Sequence, residues 1–135
     1  MILVPKVRNL LLAGLLAGSL VLVVPWTARA EPMSASYYGE RLAGVPTASG
    51  EPYDPNGYTA AHPYLPFGTK LLVSYEGRNV IVTVNDRMSS DSESDLDLSL
   101  AAARAIGLTE TGTAVVDAEV LENPSEAIDQ DPQPQ

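Results

Sequence analysis

The sequence of 135 residues contains no cysteine and few basic residues. The absence of cysteine excludes a disulfide framework, a thiolate metal site, a cysteine nucleophile and lipidation on cysteine. Three of the eight Lys and Arg residues precede Glu31, whereas all 17 Asp and Glu residues lie at or after it. Without residues 1–30 the net charge is therefore −12, from 5 basic and 17 acidic residues. Such a chain lacks the clustered Lys and Arg that nucleic acids and anionic lipids require.

The first 30 residues have the organisation of a secretory signal peptide. Lys6 and Arg8 precede an apolar run over 10–26, and Ala28-Arg29-Ala30 supplies the small residues of a cleavage site. An uncleaved membrane anchor is the alternative, but this run is at the lower limit of length for crossing a bilayer. We therefore expect a mature protein that is secreted, periplasmic or extracellular, associated with the cell wall, and without a stable membrane anchor.

The rest of the sequence predicts short strands and one helix. Ser99 is a suitable N-cap for a helix over Leu100–Ile106, and Gly107 is a suitable end for it. Five or six strands in fewer than about 90 residues indicate a small β-barrel. The predicted strands are Ser34–Tyr38, Lys70–Tyr75, Asn79–Val84, Leu96–Leu98 and Ala114–Leu121, with a turn over 76–78.

Two segments predict irregular structure. Glycines and prolines are so frequent over 39–69 that no helix is expected there, and the aromatic residues of this segment favour an ordered loop over the core. Residues 122–135 contain three prolines and four acidic residues. Because this composition offers little apolar surface to bury, it predicts a disordered tail.

Several motifs follow one another in the order found in a known family. They are Ala35-Ser36-Tyr37-Tyr38-Gly39, Thr47-Ala48-Ser49-Gly50-Glu51, Thr59-Ala60-Ala61-His62, Leu65-Pro66-Phe67-Gly68-Thr69, Val84-Asn85-Asp86-Arg87 and Asp97-Leu98-Ser99. Over 34–121 the chain resembles the catalytic domain of the rare lipoprotein A (RlpA) family of septal lytic transglycosylases. The resemblance implies a mainly β fold, a six-stranded double-psi β-barrel with one short helix at 31–121. Expansins are more distant relatives with the same barrel.

The resemblance also implies a reaction and a set of residues. The reaction is cleavage of peptidoglycan glycan strands between N-acetylmuramic acid and N-acetylglucosamine, with 1,6-anhydro ends and a preference for strands without peptide stems. Asp86 and His62 match the positions implied to be catalytic. No cofactor or metal is implied, and we expect a monomer. The supporting positions are Glu51, Asp54, Asp97 and Tyr38.

These residue types suit such chemistry. A lytic transglycosylase can use one carboxyl group, because the 6-hydroxyl of muramic acid is an intramolecular nucleophile. The carboxyl group first protonates the leaving oxygen and then accepts the proton of the hydroxyl. We expect neighbouring carboxylates to keep Asp86 protonated, since they disfavour a further negative charge. We expect His62 to hydrogen-bond Asp86 or to orient the sugar.

Plainer interpretations of the same residues remain open. Asp86 is also a typical turn residue, and a lone histidine such as His62 is often structural. The alternating acids over 91–97 raise the question of a calcium site, but without the glycine and terminal glutamate of an EF-hand loop a solvated loop is expected. Four aromatic residues suit either core packing or sugar stacking. These are Tyr37, Tyr38, Tyr64 and Phe67.

The segment after Arg87 departs from the family. Met88-Ser89-Ser90 replaces the usual Gly-Pro, and 88–95 is acidic where the family has a basic residue. This difference favours a non-catalytic, expansin-like module that binds or loosens wall polysaccharide. A barrel that serves only as an interaction scaffold is a third hypothesis, because a fold does not determine a function.

Overall fold

The computed structural model describes residues 29–127, whose six strands form a closed barrel. The strands are β1 Glu31–Tyr37, β2 Thr59–His62, β3 Lys70–Tyr75, β4 Arg78–Arg87, β5 Leu96–Leu98 and β6 Ala114–Glu122. Their order around the barrel is β1-β5-β2-β4-β3-β6. The β1–β5 and β2–β4 pairs are parallel, and the other four pairs are antiparallel. Strands distant in the sequence therefore become neighbours.

Alternating side chains fill the barrel. Leu71 and Val73 of β3 are fully buried, as are Val82 and Val84 of β4. Because side chains alternate along a strand, the intervening residues face outward. The helix α1, Leu100–Ile106, packs against β4 and β1 and adds its own apolar face to the same core. Its contributing residues are Ala102, Ala103 and Ile106, followed by Leu108 in a 3-10 turn at Leu108–Glu110.

The predicted boundaries of α1 are confirmed. The Ser99 side chain accepts a hydrogen bond from the N–H of Ala102, as an N-cap does. Gly107 ends the helix in the left-handed conformation, with φ of 77°. The hairpin between β3 and β4 is also present, but its turn is one residue shorter than predicted, since Arg78 pairs with Tyr75.

The structure differs from the predicted strands at several boundaries and contains one strand that was not predicted. β1 begins at Glu31 rather than Ser34, because 31–35 pairs with β6. β4 continues to Arg87 rather than ending at Val84. The segment 39–69 contains a strand, β2, and a 3-10 turn at Glu40–Leu42. β2 was not predicted because its four residues lie among glycines and prolines. Its conformation is stabilised by pairing with β4 and β5.

The end of the described chain also differs from prediction. Glu122 belongs to β6, and Pro124–Ala127 forms a short helix, α2, inside the segment predicted to be disordered. Residues 1–28 and 128–135 lie outside the described residues, so the signal peptide and the rest of the tail stay predictions. Within 29–127 no helix combines the length and apolar character needed to cross a membrane.

Candidate functional site

A row of side chains crosses four neighbouring strands on the outside of the barrel. Ser36 of β1 pairs with Asp97 of β5, and Asp97 pairs in turn with Ala61 of β2. Ala61 also pairs with Asp86 of β4. Directly paired residues present their side chains on the same face of a sheet. Because Ala60, the residue before Ala61, belongs to the core, this face is the outer one.

The two aspartates of the row are separated by one small residue. With neighbouring strands about 4.8 Å apart, the backbones of Asp86 and Asp97 lie about 10 Å apart, with Ala61 between them. Ala61 itself is fully buried, so its small side chain is covered where it lies between the two carboxyl groups. Ser36 Oγ donates a hydrogen bond to Asp97 Oδ1 at 3.2 Å.

A β-bulge in β4 brings Asp86 to the outer face. Ala60 pairs with Val84, but Ala61 pairs with Asp86, so Asn85 is an extra residue in β4. Val84 is part of the core, and strict alternation would turn Asp86 inward as well. The extra residue instead re-aims Asp86, which is a frequent role of bulges beside functional sites.

Three hydrogen bonds hold the Asp86 carboxylate. Tyr38 Oη donates to Oδ2 at 2.6 Å, and the N–H groups of Ala48 and Arg87 donate to Oδ1 at 2.9 and 2.8 Å. Burial acts to raise the pKa of Asp86, but these bonds and the Arg87 charge outweigh it and lower the pKa below its usual range. The expectation that Asp86 is kept protonated is therefore wrong. Burial and the bond to Asp86 raise the pKa of Tyr38, which stays a donor.

Asp97 has the opposite environment. Burial raises the pKa of Asp97 to about 6, against the hydrogen bond from Ser36, and the negative charge of Asp86 adds to the rise. Among residues 29–127 Asp97 Oδ2 has no hydrogen-bond partner, and no buried side-chain oxygen or nitrogen there is left unpaired. Oδ2 is therefore in contact with solvent. The row thus holds one ionised carboxylate and one carboxyl group that can carry a proton near neutral pH.

His62 lies outside this row. It is 2% exposed, and its Nδ1 accepts hydrogen bonds from the N–H groups of Tyr64 and Leu65 at 3.2 and 3.1 Å. Burial and the Arg87 charge lower the pKa of His62, which keeps the ring neutral. In the described chain no hydrogen bond joins His62 to Asp86. The reason is its position: His62 pairs with Arg87, one step beyond the Ala61–Asp86 pair and on the other face.

Two further predicted residues lie at the edge of the site. Glu51 Oε2 accepts a hydrogen bond of 3.4 Å from Asn85 Nδ2, so Glu51 borders the bulge. Asp54 is exposed, and its Oδ1 accepts the N–H of Asn56 at 2.9 Å, which is a local turn contact. The structure therefore brings Tyr38, Asp86 and Asp97 together with Glu51 nearby, and it places Asp54 outside the row.

The loop before β2 anchors Tyr38 over the row. The ring of Tyr53 contacts that of Tyr38 edge to face, with centroids 5.0 Å apart. Tyr53 Oη in turn accepts the N–H of Leu100, the first residue of α1, at 3.2 Å. The same loop supplies the Ala48 N–H to Asp86. This loop is thus tied to both the helix and the site.

The four aromatic residues, for which core packing and sugar stacking were the alternatives, have different environments. Tyr37 packs against the core, whereas Tyr38 bonds to Asp86. Tyr64 is 76% exposed and contacts the His62 ring edge to face at 4.6 Å. Phe67 is 37% exposed, and the Arg87 guanidinium carbon lies 4.5 Å from its ring centroid.

Four contributors to the site were not predicted as site residues. Ser36, Ala61 and Arg87 lie within the motifs, as does Ala48, which contributes only its backbone N–H. The spacing of Ser36 and Tyr38, two residues apart in the predicted strand Ser34–Tyr38, was a usable signal. Ala61 and Ala48 carried none, because their roles depend on pairing and backbone position.

The acidic loop is tied to β1 rather than to the row. Asp95 Oδ2 accepts hydrogen bonds from Ser34 N and Oγ at 2.9 and 3.1 Å. In the described part of the chain, no group of three or more His, Asp and Glu residues is arranged to hold a metal ion.

Comparison with known proteins gives consistent results. The family model described as lytic transglycolase matches residues 30–118. The endolytic peptidoglycan transglycosylase RlpA of Pseudomonas aeruginosa is 46% identical over 91 residues, which are 66% of this chain and 27% of that protein. The protein of the same name from Neisseria meningitidis is 43% identical over 90 residues, 65% of this chain and 38% of that protein. The chain therefore spans well under half the length of these curated relatives.

Solved structures share the barrel. A Streptomyces papain inhibitor superposes with a TM-score of 0.57 at 24% identity, covering 70% of this chain and 96% of the inhibitor. The apo expansin of Clavibacter michiganensis superposes with a TM-score of 0.57 at 23% identity, covering 71% of this chain and 52% of the expansin. These likenesses concern the fold alone, and the predicted double-psi β-barrel is confirmed. With the family model matching from residue 30 to residue 118, the chain belongs to the lytic transglycolase family.

Proposed function

We propose that this chain is an endolytic lytic transglycosylase that cleaves peptidoglycan glycan strands to 1,6-anhydro-N-acetylmuramic acid ends. The observation that carries the proposal is the outer row, in which Asp86 is held ionised while Asp97 has its pKa raised to about 6. Two carboxyl groups with opposite protonation preferences on one face of a sheet suit glycoside cleavage. The names of the relatives support the same reaction.

We assign the proton transfer to Asp97. In the proposed step its carboxyl proton passes to the glycosidic oxygen as the bond from that oxygen to C1 of muramic acid breaks. The 6-hydroxyl oxygen of the same sugar then bonds to C1, and its proton returns to the Asp97 carboxylate. One group acts as acid and then as base, no water is consumed, and the intramolecular nucleophile supplies the high effective concentration.

Asp86 has a different proposed role. Its carboxylate is fixed by three donors, including Tyr38 Oη, before any substrate binds. Positive charge develops at C1 in the oxocarbenium-like transition state. A preorganised negative charge stabilises that state more than it stabilises the neutral substrate.

The remaining predicted residues support this site in the proposal. His62 positions the segment after β2, since its Nδ1 binds two backbone N–H groups. Glu51 steadies the bulge through Asn85, and Asp54 shapes the loop turn. We further propose that the mature chain acts as a monomer outside the cytoplasmic membrane, at the cell wall.

One observation favours a second function. The acidic segment 88–95 directly follows β4 and replaces the Gly-Pro turn and basic residue of the catalytic family, so the substrate contacts of that segment are changed. A barrel that binds wall polysaccharide without cleaving it, as an expansin-like module, is therefore the alternative proposal.

The test is mass spectrometry of soluble products from peptidoglycan whose stems an amidase has removed. Wild type is compared with Asp97→Asn, Asp86→Asn and, as matched control, Asp117→Asn on the exposed side of β6. Wild type and the control should release anhydro sugars. Asp97→Asn should be slower by about 100-fold or more, because general acid–base catalysis contributes at least that factor. Asp86→Asn should also be slower.

The pH dependence of the reaction rate distinguishes the roles of Asp86 and Asp97. The wild-type rate should fall as pH rises through about 6, since Asp97 loses its proton there. If Asp97→Asn keeps the wild-type turnover, a residue other than Asp97 is the general acid. Glycan binding by the wild type with no anhydro products would support the binding module instead.

A further inference from the structure

The long loop between β1 and β2 has a single apolar anchor. Among residues 39–58, Tyr53 is the only buried aliphatic or aromatic side chain, with 4% of its surface exposed. Other large apolar side chains of this loop are exposed, and these are Leu42, Val45 and Tyr58. A buried aromatic ring contributes much more to packing than an exposed one. The position of the loop on the barrel therefore depends on the Tyr53 side chain.

The Tyr53 ring is held between the helix and the site. Its contact with the Tyr38 ring is edge to face, with centroids 5.0 Å apart and ring planes at 87°. Its Oη accepts the N–H of Leu100, the first residue of α1, at 3.2 Å. Because α1 packs into the core, this bond fixes the ring relative to the barrel. The fixed ring in turn limits the orientations that are open to Tyr38.

The backbone of the same residue belongs to a short antiparallel ribbon, residues 44–53. The N–H of Tyr53 donates to the carbonyl of Val45, and the carbonyl of Tyr53 accepts from the N–H of Gly44, both at 2.8 Å. The turn at the end of this ribbon contains Ala48, whose N–H donates to Asp86 Oδ1. The buried ring therefore anchors the ribbon that presents this donor.

Both connections lead to one carboxylate. Tyr38 Oη donates to Asp86 Oδ2, and the Ala48 N–H donates to Oδ1. The third donor is the N–H of Arg87, the next residue of β4, which does not depend on the loop. In the described chain Tyr53 has no hydrogen bond of its own to Asp86. Any effect of Tyr53 on this carboxylate is therefore exerted through the other donors.

Tyr53 brings no charge into the site. Burial raises the pKa of Tyr53, and the negative charges of Asp97, Asp54 and Glu40 add to the rise, which outweighs the hydrogen bond from the helix. The hydroxyl group therefore stays neutral. Replacement of Tyr53 changes the placement of the donors around Asp86 and leaves the number of charges there unchanged.

We propose that Tyr53 is a positioning residue that holds the donors of Tyr38 and Ala48 on the Asp86 carboxylate. Its consequence for the reaction rests on the proposed function, in which Asp86 is an ionised group fixed before the substrate binds. Without the ring, Tyr38 and the ribbon gain freedom, and each donor spends less time on the carboxylate. A charge whose surroundings must reorganise during the reaction stabilises the transition state less well.

The experiment measures kcat and KM on a soluble glycan oligomer without peptide stems. Tyr53→Leu should lower kcat by about tenfold and change KM by less than about twofold, because weaker charge-assisted hydrogen bonds at Asp86 affect mainly the transition state. Tyr58→Leu is the matched control. It makes the same change at a tyrosine of the same loop that is 54% exposed, and it should keep the wild-type kcat.

A double-mutant cycle identifies the route. Tyr38→Phe removes the hydroxyl donor to Asp86 Oδ2. If Tyr53 acts through Tyr38, Tyr53→Leu should lower kcat by less than about threefold in the Tyr38→Phe background, against about tenfold in the wild type. The remaining loss belongs to the ribbon. The full tenfold loss in both backgrounds would contradict the proposal.

Titration of the Asp86 carboxyl group by NMR tests the positioning without catalysis. Burial acts to raise the pKa of Asp86, but its hydrogen bonds and the Arg87 charge bring the pKa below its usual range. Tyr53→Leu weakens two of these bonds, so the pKa of Asp86 should rise toward its ordinary value. On the acid side, activity should accordingly be lost at a higher pH than in the wild type. Tyr58→Leu should leave both quantities unchanged.

A conservative variant keeps the test open where Tyr53→Leu does not fold. Tyr53→Phe keeps the ring against Tyr38 and loses only the bond to Leu100. It should lower kcat by about threefold, with KM unchanged and a smaller rise in the pKa of Asp86.

A second result would also overturn the proposal. It is a folded Tyr53→Leu protein with the wild-type kcat and the wild-type pKa of Asp86, which would mean that Tyr53 only holds the loop on the barrel. Neither this result nor equal losses in the cycle would affect the transglycosylase function. A folded wild type that releases no anhydro ends would instead refute the proposed function, and the titration of Asp86 would then decide the positioning role by itself.

Discussion

At the scale of single residues, the environment assigns different charge states to two chemically identical side chains. Asp86 receives three hydrogen bonds, whereas Asp97 receives one, from Ser36, and is more deeply buried. Donors favour the charged form and burial disfavours it. The difference between the aspartates is therefore a consequence of which backbone and hydroxyl groups surround each one.

Asp97→Asn should change the pH dependence of stability. The folded pKa of Asp97, about 6, lies above the unfolded value of about 3.9, so the folded state binds the extra proton between these values. Wild-type stability therefore falls as pH rises through about 4 to 6, and the asparagine removes this loss. Relative to pH 4, the variant should gain about 1 kcal/mol over wild type at pH 7, less than the full conversion of the shift because Asp97 is partly exposed.

Urea unfolding of both proteins at the two pH values measures this gain. Asp117→Asn, on the exposed side of β6, provides the control and should show no comparable change. Equal pH dependence in wild type and Asp97→Asn would contradict the raised pKa.

At the scale of secondary-structure elements, one buried serine joins three segments. Ser99 Oγ donates to the carbonyl of Gly57 at 2.6 Å and accepts from the N–H groups of Thr59 and Ala102, each at 3.3 Å. It therefore caps α1 while it fixes the start of β2, the strand that carries Ala61 and His62. β2, which was not predicted from the sequence, therefore depends on Ser99, which was predicted as the N-cap of α1.

Ser99→Ala should destabilise the protein by about 2–3 kcal/mol, because it removes the cap and leaves the carbonyl of Gly57 and the N–H of Thr59, both in partly buried residues, without their partner. Chemical denaturation measures this loss. Ser74→Ala on β3 is the matched control, since Ser74 is only partly buried and has no side-chain hydrogen bond among the described residues. A loss below about 0.5 kcal/mol for Ser99→Ala would show that solvent replaces these bonds.

At the scale of the whole molecule, the site exists only when the barrel closes. The row takes one residue from each of β1, β5, β2 and β4, and Ser36 lies 61 positions from Asp97 in the sequence. No single hairpin contains the site. Loss of the core should therefore abolish the row together with the fold, as expected for cooperative unfolding of a small domain.

Leu71→Ala should lower stability by about 2–5 kcal/mol, because it leaves a cavity in the middle of the barrel. Ile81→Ala is the matched control, since Ile81 is 51% exposed on the neighbouring strand and should cost less than about 1 kcal/mol. Activity and circular dichroism should disappear at the same urea concentration in each protein. Separate midpoints would show that the row is lost before the barrel.

The predictions from sequence succeeded where the signal is local. The helix Leu100–Ile106 was found from its cap residues, and β3 was found from its run of apolar and β-branched residues. β2 was not found, because four residues among prolines and glycines have no distinctive periodicity and gain their conformation from β4 and β5. Tyr38, Asp86 and Asp97 were included among the site residues through the family motifs, but their charge states were not.

The sequence alone determined the family, the acidic character of the chain and the residues that carry its motifs, because these depend on side-chain identity and local order. Only the tertiary structure decided which of them meet. The bulge at Asn85 turns Asp86 outward, Ala61 separates it from Asp97, and His62 is directed away from both. The physical reason is that strand register and burial, which set orientation and pKa, arise from contacts between segments far apart in the chain.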